Sequence, residues 1–121
     1  MVKNLAMLFG VVFLAIGVLG FVPGVTKDGH LLGVFDVGTL HNIIHLASGV
    51  AALWLASMGS KYAKMYFQVF GVVYGLVTII GFVQKDNVFG LFDVNMADNV
   101  LHLVITAVAL WAGFGMKAEE A

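Results

Sequence analysis

Four stretches of this chain contain no Asp, Glu, Lys or Arg: residues 4–26, 37–60, 65–84 and 99–116. A helix rising 1.5 Å per residue needs about 20 apolar residues to cross a hydrocarbon core about 30 Å thick. Inside lipid the backbone must satisfy its own hydrogen bonds, which restricts spanning structures to helices and closed barrels. Runs of this length predict helices, near 4–22, 38–58, 64–84 and 97–116. The expected fold is therefore all-α, an integral membrane four-helix bundle. The bulk numbers agree, with 61% hydrophobic and 11% charged residues and a mean hydropathy of +1.02. Such values lie outside the range of soluble domains. Lys3 before the first run superficially resembles a signal peptide, but the run is long for that role and has a close match later in the chain.

That match is part of a duplication. Residues 31–56, LLGVFDVGTLHNIIHLASGVAALWLA, align without a gap to residues 88–113, VFGLFDVNMADNVLHLVITAVALWAG. The segments before them also correspond, FGVVFLAIGVLGFV at 9–22 and FGVVYGLVTIIGFV at 70–83. The chain reads as two tandem helix-loop-helix repeats, 1–60 and 61–121. An even number of spans per repeat makes the two copies parallel, related by a pseudo-two-fold axis along the membrane normal. The offset falls from 61 to 57 between the two aligned segments, so the first outer loop is four residues longer. Pro23, Gly24 and the TKDGH stretch occupy it.

Charge placement predicts orientation. Lys3, Lys61, Lys64 and Lys117, with Glu119 and Glu120, fall on one side of the membrane. Lys27 and Lys85 fall on the other, with Asp28, Asp36, Asp86, Asp93 and Asp98. The lysine excess places both termini in the cytoplasm and the protein in the cytoplasmic membrane. Trp54 and Trp111 then lie at the depth of an aromatic belt.

The polar residues kept in both copies are the candidate functional ones. Asp36 and Asp93 precede the second and fourth helices and are expected to cap them, with Thr39 a competing cap for the second. Asn42-x-x-His45 and Asn99-x-x-His102 each occupy one helix face, with the histidines at matching depth. Polar groups at that depth belong inside the bundle. The one informative break is His41, whose counterpart is Asp98. Three uses remain open. Asn42, His45, Asn99 and His102 can hydrogen-bond one another and tie the helices together, with no cofactor. His41, His45, Asp98 and His102 can hold a divalent transition metal. His45 and His102 can act as axial ligands of haem b. His30 is expected to be a solvated loop residue.

The pattern GVFDVGTLHNIIHLASGVAAL, with GLFDVNMADNVLHL in the second copy, resembles the small bacterial four-helix membrane proteins of Domain of Unknown Function family 4383. The resemblance rests on an apolar loop leading to Asn42, His45, Leu46 and Gly49. The second copy keeps Asn99, His102 and Leu103 but departs at Thr106. It implies a four-span membrane protein and no particular activity.

Several function classes are disfavoured. The chain has no cysteine, which removes disulfides, thiolate ligands, iron–sulfur clusters and c-type haem attachment. A net charge of −1 gives no case for nucleic acid. Proton-coupled transport needs an ionisable group deep in the membrane, and the first and third helices offer chiefly Gln68 and Thr78. No catalytic triad, acid pair or phosphate loop argues for an enzyme. The expectation is a structural or accessory module in the lipid bilayer. A homo-oligomer or a membrane-protein partner remains open.

Overall fold

A computed structural model describes residues 1–27, 30–31, 33, 35–85, 87–88, 90 and 92–117, with the side chains of Asp36, Phe92 and Asp93 outside that description. Asp28, Asp86, Glu119 and Glu120, used above for orientation, also lie outside it. The described residues contain four helices: α1 (Val2–Leu19), α2 (Thr39–Met58), α3 (Ser60–Gln84) and α4 (Met96–Gly115). All four are long and apolar enough to cross a membrane.

Each helical hairpin, α1 with α2 and α3 with α4, closes around small residues. A Cβ on Gly10 would fall 2.5 Å from Leu53 Cγ, and one on Gly71 would fall 2.8 Å from Leu110 Cδ2. Gly49 sits as closely on Leu14, and Gly113 on the backbone of Gln68. Lipid gives apolar helices little hydrophobic reason to associate, so close backbone packing supplies the attraction. The two hairpins meet through aromatic rings. Phe9 of α1 packs edge-on against Phe67 of α3 at 5.0 Å, and Phe13 against Phe70 at 5.4 Å. The GxxxG pair Gly71 and Gly75 thus faces α4, against Leu110 and Thr106, as an internal helix contact.

The expected 58–64 loop is almost absent. Gly59 alone separates α2 from α3, with φ of 131°, a conformation that side chains disfavour and glycine tolerates. Helix α1 stops at Leu19 rather than 22, with Gly20 as its C-cap.

The loops at the other end carry short strands that periodicity did not predict. In the first, β1 (Thr26–Lys27), β2 (His30–Leu31) and β3 (Phe35–Asp36) form an antiparallel sheet in the order β1-β2-β3. In the second, β4 (Asn87–Val88) pairs antiparallel with β5 (Phe92–Asp93). Gly33 and Gly90 take positive φ values of 74° and 71° at matching places in the two hairpin turns. The strands cross over: β3 packs on α4 and β5 on α2, so each loop covers the opposite hairpin.

This pairing also corrects the expected caps. The N-cap positions are Gly38 for α2 and Asn95 for α4, not Asp36 and Asp93. Ladder pairing keeps both aspartates extended, and each helix starts three residues further along. Thr39 is already the first residue of α2.

Candidate functional site

The polar residues collect in the end of the bundle that the strands cover. His41, Asn42, His45, Asp98, Asn99 and His102 are all buried, none more than 6% exposed. His45 and His102 each lie six residues into their helices, about 9 Å from the start at 1.5 Å per residue.

The asparagines and histidines do different work. Asn99 Nδ2 donates to the Gly81 carbonyl at 3.1 Å, binding α4 to the last turn of α3. Asn99 Oδ1 then faces the Gly81 Cα so closely that a Cβ there would lie 2.3 Å away. Asn42 meets Gly20 at the corresponding place, where a Cβ would lie 1.9 Å from Oδ1. Asn99 therefore ties its hairpin by a hydrogen bond, and Asn42 packs against its own at the corresponding place. Among the described residues, no hydrogen bond joins either of them to a histidine.

The histidines converge instead. His41 and His45 are four apart on α2, which puts them on one face, and their ring centroids are 4.4 Å apart. The His102 ring, from α4, is 5.6 Å from that of His41 and nearly perpendicular to it. One ring nitrogen from each of the three lies within 4.8 Å of the other two. The surroundings are aromatic and aliphatic: Phe13 packs 5.6 Å from His45, and Tyr74 meets His102 edge-on at 5.4 Å. The Nδ1 atoms of His45 and His102 are buried without a hydrogen-bond partner among the described residues. An unsatisfied buried polar atom costs about 1–3 kcal/mol, so this arrangement is incomplete as a hydrogen-bonded core.

Asp98 was expected among the metal ligands and is placed otherwise. Its carboxylate accepts the Asn95 backbone N–H at 3.1 Å, while Asn95 Oδ1 accepts the Asp98 N–H at 2.9 Å. That is a reciprocal capping box at the start of α4. Asp98 also borders the cavity shared by His45 and His102 under Leu31, Phe35 and Val37, and the group whose ligand atoms lie within 4.8 Å of one another is His41, His45 and His102. His41, in the first turn of α2, is 2% exposed. His30, expected to be solvated, is half-buried in β2.

Gly20 and Gly81 were missed as partners of the asparagines. Their signal was available, since each ends a helix in one copy and they align with one another. Tyr74, which walls the cluster, had no distinguishing spacing.

Four membrane-length helices and a buried three-histidine cluster define a multi-pass membrane bundle with a polar centre. The chain belongs to the family described as Domain of unknown function (DUF4383), whose model matches residues 3–115. No curated protein and no solved structure matches the chain.

Proposed function

We propose that this protein is a metal-binding accessory module of the cytoplasmic membrane, holding one divalent transition ion on His41, His45 and His102. The observation that carries this reading is the convergence of three imidazole nitrogens within 4.8 Å of one another. Imidazole suits zinc and neighbouring divalent ions. Ligand bonds of about 2 Å at tetrahedral angles bring such nitrogens about 3.3 Å apart, so modest ring rotations close the cluster on an ion. Metal coordination would also satisfy the Nδ1 atoms of His45 and His102, which are buried without a hydrogen-bond partner among the described residues.

A purely structural use of the histidines is less well supported, because Asn99 ties α4 to α3, and Asn42 packs on Gly20, without a hydrogen bond to any of them among the described residues. The geometry also favours an ion over haem b. Axial imidazoles must stand on opposite faces of a porphyrin, whereas His41 packs beside both His45 and His102. The lysines support an orientation with both termini in the cytoplasm, since Lys3, Lys61, Lys64 and Lys117 lie at the end remote from the cluster. The metal then sits toward the outer leaflet.

Zinc loading of the purified protein followed by metal analysis tests the reading. One ion per chain is expected, falling to background in both His45→Ala and His102→Ala. Equal loading of wild type and variants would overturn it, and a Soret band in gently purified protein would favour the porphyrin.

A further inference from the structure

The histidine cluster is not sealed from the side. A cavity of about 290 Å³ bordered by His41, His102 and Tyr74 opens between α2 and α3. It adjoins a second of about 360 Å³, which continues down the same seam to Leu55 and Met65. Ser48, Phe70 and Val73 border both, so the two form one groove. The groove exists because α2 presents Ala47, Ser48 and Ala51 to this seam, where larger side chains would have filled it. Its floor is a run of stacked rings on α3, Tyr66 on Phe70 at 4.9 Å and Phe70 on Tyr74 at 4.3 Å. The Tyr66 hydroxyl donates to the Ser48 carbonyl at 3.1 Å, bridging the two helices. The outer rim includes Val69 and Val73, 60% and 52% exposed, which face hydrocarbon in a membrane.

Three features of this groove select an occupant. The first is shape. From His41 to Leu55, α2 runs about 21 Å at 1.5 Å per residue, against about 15 Å for half a hydrocarbon core. One full hydrocarbon chain therefore fits along it. The second is coordination. Three protein ligands leave a zinc-type ion with an open position, and two of the three imidazoles border the groove. The third is charge. Three neutral imidazoles leave a divalent ion uncompensated in apolar surroundings, which is costly. Asp98, 2% exposed and bordering the other cavity beside His45 and His102, can supply one negative charge. A ligand arriving through the groove must bring the second.

We propose that the groove between α2 and α3 binds a single-chain lipid carboxylate, with its chain along the seam and its carboxylate on the open position of the ion. This inference rests on the metal reading above and adds to it the class of ligand and the direction from which it comes. Binding is by coordination, and no bond within the ligand is made or broken. The chain gains little hydrophobic energy on leaving lipid for the groove. Its contribution is to hold the carboxylate beside the ion.

The test uses the whole protein in lipid nanodiscs, loaded with cobalt(II) so that the visible bands report coordination. Palmitate and acetate are the probes, titrated into wild type, Ala51→Trp and the milder Ala51→Leu. Palmitate should shift the cobalt bands at a concentration more than about tenfold below acetate, because tethering raises the effective concentration of the carboxylate at the ion. Ala51→Trp should remove that advantage while leaving cobalt loading and the acetate response intact, with Ala51→Leu intermediate. Partition of palmitate into the bilayer is the same for all three proteins. An advantage retained in Ala51→Trp would therefore trace to partition alone and overturn the groove. Cobalt bands indifferent to palmitate would overturn it equally. Failure of wild type to take up cobalt would instead remove the metal reading and this inference together, so the two failures are distinguishable.

Discussion

The starts of α2 and α4 align with one another, residue 38 with 95 and 41 with 98, and differ in what they do. In α4, Asn95 and Asp98 close a capping box, and the aspartate is held at the helix end. In α2 the same two positions are Gly38 and His41. Glycine has no side chain with which to complete a capping box with residue 41. The His41 imidazole turns into the bundle beside His45 and His102. The differences at these two aligned positions separate a helix cap at the start of α4 from the metal ligand proposed in α2.

The strongest way to break this comparison is to make the copies alike. His41→Asp should lower metal affinity by more than about a hundredfold, exceeding the 10- to 100-fold typical of groups behind the ligands. Adding Gly38→Asn should rebuild a capping box and recover thermal stability without recovering metal. Metal retained in the double variant with an unchanged number of imidazole ligands, measured by chelator competition and X-ray absorption, would show that His41 is not a ligand.

A second prediction concerns where the copies agree. Gly20→Ala and Gly81→Ala both force a Cβ onto an asparagine oxygen, at 1.9 and 2.3 Å before relaxation. Each should destabilise the bundle by about 1–3 kcal/mol, the usual range for overpacking. Thermal unfolding in one detergent would measure this, and a loss confined to one glycine would mean the two asparagine ties are unequal. The smallest effect is expected at the cap itself. Asn95→Ala should cost about 1 kcal/mol and leave metal binding within a few-fold, since Asp98 keeps its place in the first turn of α4. A large loss of metal in that variant would mean that the box positions the site.

Much of this was legible in the chain, for identifiable reasons. Charge-free runs located the four spans because the lipid interior leaves few alternatives to a helix. The aligned Asn-x-x-His pairs located the polar end, since a spacing of three fixes the helix face. Strands of two residues carry no periodicity, so LLGVFDV and NVFGLFDV read as loop and Asp36 and Asp93 as caps. The fate of Asp98 was readable and overlooked. Asn95-x-x-Asp98 has the spacing of a capping box, and position 95 is Gly38 in the other copy. The groove beside α2 could not be read, because it depends on how far apart two hairpins settle rather than on any local pattern.

X-ray absorption on the zinc-loaded protein in nanodiscs addresses the central claim most directly. The account predicts three imidazole nitrogens at about 2.0–2.1 Å with one further light-atom ligand, and one fewer imidazole in His41→Asp. A shell of oxygen atoms without imidazole scattering, or an unchanged shell in His41→Asp, would contradict it.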